Sequence, residues 1–133
     1  MYAANALQAA LVSALADGTS LDWYDHVPPG TQYPYGEVGH ITEAPEDLHD
    51  GDGSGLTATL HIWSNAPGTK ATNDVLADVD DTLHHGTLTV SGARVVEVYR
   101  EFTEVRKEGQ DPDTGRPLRH GIVRYRFSLE ETP

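Results

Sequence analysis

The chemistry-bearing residue types of this chain are an aspartate-glycine loop, seven histidines and scattered serines. The run Asp50-Gly51-Asp52-Gly53-Ser54-Gly55 has the oxygen ligands and glycine that open an EF-hand calcium loop, at loop positions 1, 3, 5 and 6. Such a loop closes on a bidentate glutamate at position 12. Here that position is His61, inside a run that alternates like a strand, and no helix is expected ahead of it. His84 and His85 are adjacent, while His26, His40, His49, His61 and His120 are scattered. No pair has the spacing that would place two imidazoles on one helix or strand face to grip a metal. Ser13 and Ser20 flank a helix end and Ser54, Ser64 and Ser91 lie in turns, none within a nucleophile elbow. Gly51, Gly53 and Gly55 precede a strand, not a helix, so they form no phosphate loop. The neighbouring carboxylates Glu46 and Asp47 are ordinary members of an acidic loop. The chain has no cysteine, which removes disulfides, thiolate metal sites and a thiol nucleophile. These patterns give no catalytic residue, no metal site and no cofactor, and the expectation is that the protein is not an enzyme.

The elements that would position these residues can be read from periodicity. Leu56, Ala58, Leu60 and Ile62 alternate with Thr57, Thr59, His61 and Trp63 between Gly55 and Ser64, which describes a half-buried central strand. Before it, Ala4, Leu7, Leu11 and Leu15 recur at helical spacing and stop at Asp17-Gly18, with Gly18 expected as a C-cap. Leu21 to Val27 reads as a short extended run broken by Pro28-Pro29-Gly30. A weak strand is expected from Tyr35 to Glu43, where Gly36 and Gly39 suggest a bulge or a close backbone approach. After the central strand, Thr69 or Asn73 caps a helix with the stripe Val75, Leu76, Val79 and Leu83, ending near His84-His85-Gly86. Asp74 and Asp78 lie off that stripe. Asp80 and Asp81 stand at the end of the helix dipole that does not favour them. Thr87 to Val90 reads as a short strand and Arg94 to Arg106 as a long one, with Val96, Val98 and Phe102 on one face. Lys107 to Pro117 is a hairpin tip. In the last strand, Arg119 to Glu130, Gly121, Val123, Tyr125, Phe127 and Leu129 face inward. The expected fold is α+β in a single domain over residues 1–133: a mostly antiparallel sheet of five to six strands with two helices packed on one face.

Length and charge bound the function. The 133 residues suffice for one core burying roughly two thirds of the unfolded surface. No run approaches the roughly 18 apolar residues of a membrane span, and the apolar start lacks the basic leader of a signal peptide, so a soluble, non-exported protein is expected. The net charge is −12, and residues 1–93 carry all of it, with Lys70 as their single base. Such a surface does not grip phosphates. It suits solubility, or repulsion of an anionic partner.

Several segments then carry a family resemblance: Ala6 to Leu11, Tyr24-Asp-His-Val-Pro-Pro-Gly30, Tyr33-Pro-Tyr35, Leu60-His-Ile-Trp-Ser64 and Arg119 to Phe127. In this order they resemble the tail-completion, or tail terminator, proteins of long-tailed bacteriophages and gene transfer agents. The resemblance implies a structural subunit that closes into a homo-oligomeric ring, typically a hexamer. Such a ring sits on the head-proximal end of the tail tube, stops tube growth and joins the head connector (stopper) protein. DNA passes through its lumen without specific binding. It further implies a virion protein assembled in the host cytoplasm, with no membrane partner. On that reading Glu43, Glu46, Asp47, Asp50 and Asp52 form an acidic loop facing the lumen. Asp74, Asp78 and Asp81 of one subunit would meet Arg119, Arg124 and Arg126 of the next. The alternatives are a neighbouring head-tail connector or minor tail protein and, from another class, a small acidic metal-binding or regulatory protein using the Asp50 loop and the histidines.

Overall fold

The computed structural model describes residues 1–46, 52–84 and 86–132. The elements run α1 (Ala4–Gly18), β1 (Trp23–Tyr24), β2 (Tyr35–Pro45), β3 (Gly53–Ser64), α2 (Lys70–His84), β4 (Ala93–Gln110) and β5 (Pro117–Glu131). The five strands make one sheet in the order β1-β2-β3-β5-β4. All neighbours pair antiparallel except β1, which lies parallel to β2 through Trp23 opposite Gly36 and Tyr24 opposite Glu37. The sheet is therefore mixed at one edge. No helix among the described residues is long and apolar enough to cross a membrane.

Both helices lie on one face, and the core is the layer between them and the sheet. Leu7, Leu11 and Leu15 of α1 and Val75, Leu76, Val79 and Leu83 of α2 pack against Leu56, Ala58, Leu60 and Ile62 of β3 and Val123, Tyr125, Phe127 and Leu129 of β5. The period-2 and period-3.6 patterns of the sequence therefore meet in one buried cluster, the arrangement expected when each element has one apolar side.

Several boundaries differ from the sequence reading. Only Trp23 and Tyr24 of the Leu21–Val27 run join the sheet, where the buried Trp23 indole covers Gly36 so closely that a Cβ would overlap it. Gly39 likewise leaves room for His61, whose ring a Cβ would meet at 2.8 Å, and it sits in the register shift between Val38 and Ile41. Both glycines are thus close approaches, as the sequence suggested. Thr87 to Val90 forms no strand; a single bridge joins Val90 to Ala93. Gly18 is not a left-handed C-cap. It is still helical, and the cap is Thr19, whose N–H and hydroxyl both donate to the Leu15 carbonyl. Gly18 matters instead because a Cβ there would overlap the Thr82 side chain of α2. In β4 the shifts at Val95/Glu97, Arg100/Phe102 and Lys107/Gln110 reset the facing of side chains. Val96 and Phe102 consequently stand exposed while Val98 packs on the core, and the three do not share one face.

Candidate functional site

The side of the sheet away from the helices gathers most of the polar side chains that the sequence scattered. Along β3 and β5, residues alternate between core and open face. The register sets Trp63 opposite His120, Thr59 opposite Arg124 and Thr57 opposite Arg126. β4 adds Phe102 opposite Arg124, Tyr99 opposite Arg126 and Arg106 opposite His120.

At one end of this face His120 is 5% exposed and lies flat on Trp63, with ring centroids 3.9 Å apart and planes 11° apart. His120 Nε2 is 2.7 Å from His61 Nδ1, and His120 Nδ1 bonds the Glu108 carboxylate. Burial lowers the His61 pKa below its ordinary 6.5, and His120 and Arg106 lower it further, against Glu108. The hydrogen bond from His120 holds the Glu108 carboxyl below its usual range despite some desolvation, and Arg106 helps. A carboxylate–imidazole–imidazole chain can share and orient protons. Among the described residues it ends on no serine or threonine hydroxyl, and no group of three or more His, Asp or Glu could hold a metal. The arrangement is a polar network on the sheet in which His120 is buried and the Glu108 side chain is 43% exposed.

The residues expected to line a lumen are divided by the structure. Glu43 of β2 reaches the start of α1, where its two carboxylate oxygens accept the N–H groups of Ala3 (2.8 Å) and Ala4 (3.2 Å). It supplies the N-terminal cap that Ala3 lacks a side chain to make. Glu46 folds onto the open face and accepts from Arg126 and Ser128, each at 3.1 Å. A side chain at Gly55 would overlap Glu46 and crowd Arg126. Asp52 is exposed, and its carbonyl accepts the Glu131 N–H. Asp47 and Asp50 lie outside the described residues, as do His49 and His85. Ser54 and Gly55, the fifth and sixth positions of the EF-hand-like run, are already paired in β3.

The residues expected at an interface fall on two opposite faces. Asp74 and Asp78 are exposed on the outer side of α2, with Asp74 also held by Lys70 at 2.7 Å, and Asp81 follows one turn on. Arg124 lies on the open face, donating to Glu101 and sitting 5.6 Å over the Phe102 ring. Arg126 is on the same face with Glu46. Arg119 pairs in register with Ser64, and its NH1 is buried without a partner among the described residues.

Two features escaped the sequence reading. Asp80 lies beneath the sheet, where its carboxylate accepts the Tyr125 hydroxyl at 2.7 Å and lies 3.6 Å from Arg100 and 3.2 Å from His84. Burial opposes its charge, but the Tyr125 hydroxyl, Arg100 and His84 outweigh burial and lower its pKa. Burial, then Asp80, raises that of Tyr125. The signal was present in an aspartate at the wrong end of a helix dipole and a tyrosine on an inward strand face. The second feature is a cleft of about 280 Å³ beside the first turn of α2, with Leu21, Ile62, Val75 and Thr72 in its wall.

The model of the family described as tail completion protein gp17 matches residues 3–130. No curated protein gives a significant match. Among solved structures, a chain of the virion of a native gene transfer agent (GTA) particle is similar at 24% identity and TM-score 0.77, over 96% of this chain and 97% of that one. The gp17 protein of bacteriophage SPP1 is similar at 22% identity and TM-score 0.53, over 97% of this chain and 93% of that one. These two likenesses concern the fold. The family match spans the helices, the sheet and the open face alike, and by it this chain belongs to the tail completion protein gp17 family, as a structural protein of a virion tail.

Proposed function

We propose that the protein is a non-enzymatic tail terminator: a subunit of a hexameric ring that ends the tail tube at its head-proximal side and meets the head connector. The observation that supports the ring is the separation of Asp74 and Asp78 on the outer side of α2 from Arg124 and Arg126 on the open sheet face. Eight of the nine bases fall between Arg94 and Arg126, along β4, β5 and their connection, while the first 93 residues hold the entire net charge of −12. A subunit with two complementary and different surfaces associates head to tail, and such contacts form a ring where the rotation between copies closes.

A passage for DNA must not hold phosphates, and an acidic lining repels them. Of the acids assigned to the lumen, Glu43 is committed to α1 and Glu46 to Arg126, so Asp47, Asp50 and Asp52 are the ones to carry this role. The test is removal of the protein from its parent particle, with tails viewed by electron microscopy. Tails of unregulated length, separate from filled heads, are expected, and the wild-type chain should restore both length and joining. Normal joined tails without it would sink the proposal. Restoration with Asp47, Asp50 and Asp52 all changed to asparagine should give normal tail length, with any defect appearing in DNA delivery. Tails of uncontrolled length would place those residues at the tube instead.

A further inference from the structure

We infer that the ring contact is a specific one: the outer side of α2, with the cleft at its first turn, receives the open sheet face of the next copy, and Tyr99 of that copy enters the cleft. The inference rests on the ring reading and names its interface.

Two surfaces of the chain are unfinished in complementary ways. The cleft is apolar along Leu21, Pro34, Ile62 and Val75, yet Thr72 in its wall is 1% exposed and its hydroxyl has no partner among the described residues. The Thr72 methyl group is wedged over Gly121, where a Cβ would approach it to 2.7 Å, so the side chain is locked in place. On the opposite face Tyr99 and Phe102 stand 39% and 40% exposed. Phe102 is covered by Arg124. Tyr99 offers an apolar body to the apolar wall of the cleft, while the Thr72 hydroxyl, sealed and locked beneath that wall, takes no part in the contact.

Charge matches around this contact. Asp74 and Asp78 border the cleft. Four residues along a helix advance about 6 Å. Arg124 and Arg126, on the face that bears Tyr99, are two residues apart on a strand, about 6.8 Å. The two acids and the two guanidiniums therefore lie in rows of nearly equal pitch. Each guanidinium has five N–H donors and can keep Glu101 or Glu46 while taking a second acid. The surfaces are on opposite sides of the sheet, so the contact is heterologous and cannot be a symmetric dimer.

The test is native mass measurement on the full chain across concentration. Asp78→Arg alone and Arg124→Glu alone, both at exposed positions, should each lower the assembled fraction about tenfold or more. Mixing the two variants should restore it, because in a ring that alternates them the rewritten α2 surface of one meets the rewritten sheet face of the other, the two unchanged surfaces meet at the next contact, and an even-numbered ring can close that way. Tyr99→Ala should lose assembly while Tyr99→Phe keeps most of it. Circular dichroism of each variant checks that the fold is intact. If Asp78→Arg assembles like the wild type, or the mixture stays apart, this interface is wrong while the ring reading stands. A wild-type chain that never assembles overturns the ring reading and this contact with it.

Discussion

At the residue scale the chain is shaped by polar groups that find partners far away in sequence. Glu43 and α1 are about forty positions apart, His61 and His120 are 59 apart, and Glu46 and Ser128 are 82 apart. The Glu108–His120–His61 chain has a testable pH signature. His61 is held below its ordinary pKa of 6.5 in the fold, so the unfolded chain takes up a proton first as pH falls. Stability from this site is complete above about pH 6.5 and declines below it. Glu108, also lowered, adds a second decline beginning near its ordinary 4.5. Both act in the same direction, so acid destabilises. Thermal melts from pH 8 to 4 should show the midpoint falling from about pH 6.5 downward, with Trp63 fluorescence changing as the stacked imidazole shifts. His61→Gln should remove the first decline and keep the second. An unaltered profile in that variant would show that the network does not titrate as described.

At the element scale the decisive contact is between the helices. α1 and α2 lie side by side on the sheet, and the C-terminal end of α1 touches α2 at Gly18 and Thr82. Glycine normally weakens a helix relative to alanine. Here the added methyl would overlap Thr82, and overpacking of this kind costs about 1–3 kcal/mol. Gly18→Ala should therefore lower stability to chemical denaturation, and Thr82→Ala should return part of the loss, because it removes Oγ1 and Cγ2 and leaves only the Cβ close by. If Gly18→Ala were stabilising, helix propensity would govern this position and the close approach would be unimportant. The same scale shows what sequence could and could not reveal. The stripe of α2 and the alternation of β3 and β5 were legible, because one uninterrupted period marks one buried face. β4 was not, because three bulges reset its phase and no single residue type announces a bulge. A charged, bulged strand is also how an edge avoids pairing with another sheet, and β4 is an edge. Of the candidate site, the two acidic and basic groups were legible as composition. That Glu46 holds Arg126, and that Thr72 is left without a partner among the described residues, depends on tertiary proximity that spacing along the chain does not encode.

At the scale of the whole molecule, two electrostatic effects oppose each other in assembly, and their ranges separate them. Copies with a net charge of −12 repel. The proposed contact between the α2 acids and the open-face arginines attracts. Net repulsion acts over long distances and is felt most at about 0.01 M salt, where the screening length is about 30 Å. Near 0.15 M that length shrinks to about 8 Å, so distant like charges no longer sense one another while charges within a contact still do. At about 1 M it is about 3 Å, and the contact itself weakens. Assembly should therefore rise from low to physiological salt and fall again toward molar salt, as followed by light scattering at fixed protein concentration. A rise that continues to molar salt would mean that apolar burial around Tyr99 holds the ring and the arginine–aspartate pairs add nothing. A fall that begins at the lowest salt would mean that attraction at the contact exceeds the repulsion of the whole subunits. A response flat across the range would sink the charge-complementary interface, because no arrangement of these two surfaces is indifferent to screening.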